Sequence, residues 1–372
     1  MTAAVLASRF SVKRQLAAIA CVAASTSALA QSTVIYGLID VAIEHVTNVG
    51  PSGTGLNRMP SATGSLPSRV GFRASEDLGD GLSAVVVLEQ GFAPDMGSFT
   101  QGGRAFGRQS FVGFVGPWGL LAVGRQYTML YWSILDADIL GTNIYGSGSL
   151  DAYIPNARAD NAISYRGTFS GLTVGATFSL GRDGVNAGSP AGTNCAGESS
   201  DARECREWSA LLKYDRPSWG AALAFDEIRG GPGAFANLTS SSLRDRRLSV
   251  NGYVDLASVR VAAGLVRRDN DAGGVAPVSD LWYLGALYAP TPTLRIEAEA
   301  FRLVFDGNVN RATLLAGRVT YSLSKRSALY ATLGHIDNAG ALALSVSAGA
   351  PGSNPQPGTG QIGMAMGVRH SF

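Results

Sequence analysis

Lysine is nearly absent from this chain. Lys13, Lys213 and Lys325 are the only three, so 27 of the 30 basic residues are Arg. Planar guanidinium forks hold fixed arrays of charge better than flexible ammonium groups do. Histidine is equally scarce, limited to His45, His335 and His370. An enzyme built on Ser/His or Asp/His chemistry would need such a residue in a polar constellation. His370 falls in an apolar register near a chain end, and the other two sit near the ends of alternating segments. No metal-ligand spacing and no nucleotide-binding loop accompanies them, so neither a metal nor a cofactor is expected. Charged residues make up only 16% of the chain, and no apolar run after residue 30 is long enough for a membrane-spanning helix. That combination excludes a typical soluble enzyme and a helical membrane protein alike.

Three cysteines are present. Cys21 lies in a leader: Arg9, Lys13 and Arg14 form a basic segment, residues 15–26 are apolar or small, and Ala28-Leu29-Ala30 is a cleavage site ahead of Gln31. A lipoprotein cleavage at Cys21 is the alternative, but Ala18 stands where a Leu is expected. Residues 1–30 therefore read as a signal peptide and 31–372 as the mature domain. Its 27 basic and 28 acidic residues give a net charge of −1, which offers nothing to nucleic acid. Cys195 and Cys205 sit in a Gly/Ser/Asn-rich stretch of an exported chain, where a disulfide closing a short loop is expected; two unpaired buried thiols are the alternative.

What the chain does have is alternation. Period-two segments occur at 33–45, 68–78, 82–93, 105–115, 120–128, 158–169, 172–180, 207–215, 220–229, 244–256, 259–269, 280–289, 294–305, 312–323, 328–337 and 361–372. These sixteen are joined by turns such as GDG, PWG, SG, PSW, PTPT and SKRS, in alternation with longer loops rich in Gly, Ser, Asn and Pro. An even number of antiparallel strands, with short turns at one end and long loops at the other, predicts an all-β, 16-stranded transmembrane barrel. In the last segment Met364, Met366, Val368, His370 and Phe372 share one face. Pairing with the first strand would leave no exposed edge.

Several stretches resemble the general diffusion porins of Gram-negative outer membranes, especially those of beta-proteobacteria. They are TVIYGLIDV, SRVGFRASEDLGDGLSAVVVLEQ, GRQSFVGF with WGLLAVGRQYT, ARADNAISY, YSLSKRSALYATLGH and the terminal GVRHSF. The resemblance spans essentially the whole mature chain. It implies a homotrimer embedded among outer-membrane lipids and lipopolysaccharide, a third long loop folded inward to narrow each pore, and passage of small hydrophilic solutes and ions. It also implies that Phe372 is read by the outer-membrane assembly machinery.

Parity of the alternation gives sidedness. Val70, Phe72 and Ala74 face lipid, which turns Arg69 and Arg73 to the lumen. Leu82, Ala84, Val86 and Leu88 outward aim Glu89 inward; Ile163 and Tyr165 outward aim Arg158 and Asp160 inward. A charge aimed at lipid near mid-depth would cost about 2–4 kcal/mol, so the inward choice is strongly preferred. Arg108 takes a lumen position by the resemblance. The segment 129–157 is too long for an ordinary connection and carries Asp136 and Asp138 among apolar residues that could anchor it to the wall. By the resemblance, Asp138 opposes a wall of arginines, whereas Thr142 and Asn143 stand where a second acid is expected. Arg125 shares a face with Leu121 and Val123 and so points outward. The resemblance assigns it to receive the second loop of a neighbouring subunit, for which Asp95 of this chain's second loop offers a partner; an arginine snorkelling to the membrane interface is the alternative. A mildly anion-preferring diffusion channel is the leading reading, ahead of a solute-class-specific channel or a barrel-scaffolded surface adhesin.

Overall fold

In the computed structural model, the described residues are 31–372 apart from 61–63, 186, 188–191, 273, 275–277 and 349–351. The leader expected at residues 1–30 lies outside them. Sixteen long strands form one closed antiparallel sheet: β1 (Gln31–Val49), β3 (Arg69–Gly79), β4 (Leu82–Ala93), β6 (Gln109–Gly116), β7 (Gly119–Tyr127), β8 (Arg158–Phe169), β9 (Leu172–Ser179), β10 (Glu207–Arg216), β11 (Trp219–Arg229), β12 (Arg244–Leu256), β13 (Val259–Asn270), β14 (Val278–Thr291), β15 (Leu294–Phe305), β16 (Arg311–Ser322), β17 (Ser327–Ala339) and β18 (Gln361–Ser371). Two short arms, β2 (Thr54–Arg58) and β5 (Ser98–Phe99), pair with β1 and β4. The fold is the expected barrel, with the strand starts close to where the alternation begins. The largest departure is the fourth long strand, which starts at Gln109 rather than at 105, because residues 104–108 belong to the second long loop.

Closure joins β1 to β18, from Leu38 opposite Ser371 to Val46 opposite Gly363. The last residue completes it: the Phe372 amide donates to the Gly37 carbonyl and the Gly37 amide to the Phe372 carbonyl, both at 3.0 Å. The Phe372 ring lies so close over Gly37 that a Cβ there would stand 2.2 Å from ring carbon Cζ. Gly37 is thus the seat of the terminal ring. Deleting Phe372 is expected to lower the folded yield far more than Phe372→Tyr, and Gly37→Val should mimic the deletion. Comparison of unboiled gel mobility across the three variants is the check; equal folded fractions would refute the seat.

The outer surface follows the alternation. Ile35, Ile43, Leu212, Leu284, Leu333 and Met366 are each at least half exposed on the outward face, as a surface solvated by lipid requires. The inner face is divided. The third long loop, between β7 and β8, begins with the short helix α1 (Met129–Ile134) and folds into the lumen. Its apolar residues, among them Leu130, Ile134, Ile144 and Ile154, pack with inward Leu281, Phe301, Leu303 and Leu314 of β14–β16 in the main apolar core. Each such side chain buried contributes about 1.5–3 kcal/mol. A wall that would be polar in an empty lumen is apolar here because the loop covers it. Cys195 and Cys205 form the expected disulfide in the loop between β9 and β10, with Cα atoms 5.4 Å apart.

Candidate functional site

Between the inward loop and the opposite wall runs a narrow passage of about 320 Å³. Six arginines line it: Arg69 (β3), Arg108, Arg158 (β8), Arg295 (β15), Arg318 (β16) and Arg369 (β18). Adjacent strands of a barrel bring such residues together only where their registers reach one depth, and the passage lies at that depth.

Each guanidinium is held. Arg108 Nε donates to Glu89 Oε1 at 2.7 Å, and its Nη2 donates to the Tyr127 hydroxyl at 2.7 Å. Arg158 Nη2 donates to the same hydroxyl at 2.7 Å, its Nη1 to the Pro155 carbonyl at 3.0 Å, and its Cζ lies 4.2 Å from the Tyr127 ring centroid. Arg69 stands 3.7 Å from Glu89, whose other oxygen contact is the Tyr36 hydroxyl at 3.0 Å. Across the passage Arg295 pairs with Glu297 at 2.8 Å, and Arg318 Nη1 donates to the Leu140 carbonyl of the loop at 3.1 Å. Arg369 donates to Ser65 Oγ at 2.9 Å.

The loop side is tied down rather than left as free charge. Asp138 lines the passage but is buried, accepts from Ser147 Oγ at 2.5 Å, and is raised to about 6 by burial. The Leu140 amide donates to Glu299 of the wall at 2.8 Å. Asn143, at the place of the expected second acid, donates to the Ser65 carbonyl at 3.0 Å, so it fastens the loop instead of charging it. The fixed charge around the passage is therefore predominantly positive.

A family profile described as Gram-negative porin matches residues 17–341. The chain belongs to the Gram-negative porin family. Among curated relatives, outer membrane porin protein 32 of Delftia acidovorans is 26% identical over 97% of this chain and all of its own length. An outer membrane porin protein of Bordetella pertussis is 27% identical over 71% of this chain and 68% of its own. Among solved structures, an anion-selective porin from Comamonas acidovorans superposes with a TM-score of 0.73 at 21% identity, covering 92% of this chain and all of that one. A Vibrio cholerae outer membrane protein in its trimer form superposes at 0.61 with 14% identity over 92% of this chain and all of that one. The porin is thus a channel of the Gram-negative outer membrane, a barrel through which solutes diffuse.

The porin brings Arg69, Glu89, Arg108, Asp138 and Arg158 together at the passage, and it places the other residues singled out by parity elsewhere. Asp136 pairs with Lys213 of β10 at 2.5 Å and so anchors the loop. Arg73 opens into a separate recess nearer the short-turn end. Asp160 is bound by Arg104 at 3.1 Å and Arg125 at 2.5 Å, away from the passage. Arg125 itself does not point outward. The β7–β8 register shifts between Gly124 and Gln126, with Gly124 at φ +129° and Asn161 at φ +48°. That bulge resets the alternation, buries Arg125, and gives it Asp160 and the Gly107 carbonyl as partners. Arg295, Arg318, Arg369, Glu297 and Tyr127 were missed. The inward face of the four strand residues from β15, β16 and β18 was readable, since Leu315, Val319 and Tyr321 flank Arg318 on the outward face, but their depth was not; Tyr127 lies beyond the β7 bulge, where parity fails.

Proposed function

We propose that the protein works as a homotrimeric diffusion channel for small hydrophilic solutes, with a mild preference for anions. The observation that carries the preference is the set of six arginines around one passage, against the three acids Glu89, Asp138 and Glu297 beside them. An ion in so narrow a lumen stays within the roughly 10 Å over which fixed charge acts at 0.1 M salt. Charges held by hydrogen bonds to Tyr127, Ser65 and loop carbonyls bias passing ions without closing the path. The Comamonas protein's description as anion-selective and the trimer form of the Vibrio protein accord with this reading. Cleavage after Ala30, contact with lipopolysaccharide and recognition of Phe372 by the assembly machinery belong to it as well.

The test is the reversal potential across a planar bilayer in a salt gradient. The expected sign is anionic at 0.1 M salt, declining toward neutrality near 1 M, where the screening length falls to about 3 Å. A cationic sign at low salt would overturn the preference while leaving the channel itself in place.

A further inference from the structure

Below the passage, on the side of the short turns, lies a second recess of about 590 Å³, within the range of small-molecule pockets. Its wall departs from what a water-filled lumen favours. Val34, Phe111 and Leu120 face inward there, and all three are at least partly exposed. Inward apolar residues on β14–β16 are accounted for by the loop that covers them. These three keep surface open to the recess beside buried Val87, and an inward lumen face is ordinarily polar.

The same recess holds two arginines, Arg73 and Arg166, for which no carboxylate partner occurs among the described residues. Arg166 is half-buried and sits over the ring of Trp132 of α1, its Cζ 3.7 Å from the ring centroid. Trp132 is fixed in turn by edge contacts to Tyr127 and Tyr131, at 5.7 and 5.8 Å between centroids. An apolar surface, an oriented indole and two acid-free guanidinium groups thus face one space. We propose that this recess is a binding subsite for aromatic monocarboxylates passing through the channel. The ring would lie on Val34, Phe111, Leu120 and the indole, where burial of apolar area rewards it. The carboxylate would take a charge-assisted, two-pronged hydrogen bond from Arg166 or Arg73. An aliphatic carboxylate gains only the second part and a neutral aromatic only the first, which makes the pair of contacts selective.

The subsite rests on the lumen conducting, and the chloride current through the same channels reports that separately. The experiment adds benzoate, acetate or benzyl alcohol to the intact channel in planar bilayers and measures the concentration that halves the chloride current. Benzoate is expected to act at a concentration about tenfold lower than acetate, with benzyl alcohol inert. Arg166→Gln and Leu120→Asn should each bring the benzoate-to-acetate ratio close to one. Leu120→Asn alters only a wall residue, so it decides the matter should Arg166→Gln fold poorly. Equal block by benzoate and acetate, block by benzyl alcohol at the benzoate concentration, or an unchanged ratio in Leu120→Asn would overturn the subsite. Loss of chloride current in the unaltered protein would instead overturn the channel.

Discussion

Replacing Arg108 and Arg158 together by Ala is expected to carry the reversal potential of the channel toward cations at 0.1 M salt. The two arginines share one acceptor, the Tyr127 hydroxyl, at 2.7 Å from each, so they sit side by side on one wall. Their removal is unequal in kind. Arg158 has no carboxylate among its contacts with the described residues, and its loss deletes a positive charge outright. Arg108 neutralises Glu89 at 2.7 Å, so its loss also uncovers an acid whose remaining guanidinium neighbour, Arg69, stands at 3.7 Å. A unit charge at about 4 Å acts with roughly 1 kcal/mol even in bulk water, which is about a fivefold bias per charge. The double variant should therefore lower the anion-to-cation permeability ratio by on the order of tenfold at low salt, with the difference largely gone near 1 M. Arg158→Ala alone should give a smaller shift of the same sign. A folded double variant that kept the original reversal potential would remove these arginines from any role in selectivity.

The barrel was legible in the sequence because its cause is local. Alternation is set residue by residue, and the turns GDG, PWG and SG end it sharply, so β4, β8, β12 and β15 begin and end where their patterns do. The site was legible in part, for a reason that two residues make plain. Arg158 follows the parity set by Ile163 and lines the passage. Arg125, on the paired strand, breaks parity because a bulge inserts there, and the signal for it is slight: a Gly at 124 and an Asn at 161. Depth was the other hidden variable. Arg369 and Arg318 could be assigned an inward face, but only the stagger of sixteen strands around the barrel decides which inward residues meet the loop. Asp138 shows a third limit. Its place near the arginines was expected, yet the sequence did not show that its carboxylate is buried and tied to Ser147 as a fastening of the loop.

Buried Arg247 ties the return leg of the inward loop to the wall through Asp151, and Arg247→Ala is expected to loosen that leg. Arg247 of β12 is 2% exposed. Its Nε and Nη2 donate to Asp151 of the loop at 2.7 and 3.2 Å, and its Nη1 donates to Asp245 at 3.1 Å. Arg268 holds the far side of Asp245 with two bonds of 2.8 Å, and Arg247 Cζ lies 4.3 Å from the Tyr153 ring. Burial by itself would raise Asp151, but Arg247 and Arg268 hold its carboxyl down to about 2. A depressed carboxyl stabilises the anchored loop above its unfolded value near 4 and loses that effect as pH falls toward 2, so mild acid should leave the loop in place. Removing Arg247 is different, because it leaves Asp151 buried without its main partner. Breaking one side of such a pair costs about 3–5 kcal/mol. The expected result is a less stable barrel whose single-channel conductance is larger and noisier, as the loop segment 146–157 leaves the lumen. Arg247→Lys should recover only part, since a single ammonium cannot span Asp151 and Asp245 in the planar geometry of the fork. Asp151→Asn combined with Arg247→Ala should recover stability but not the narrow conductance, because it removes the stranded charge without restoring the tie. If Arg247→Ala conducts and unfolds like the unaltered channel, the loop is held by its apolar packing and its other hydrogen bonds, and this ionic anchor is dispensable.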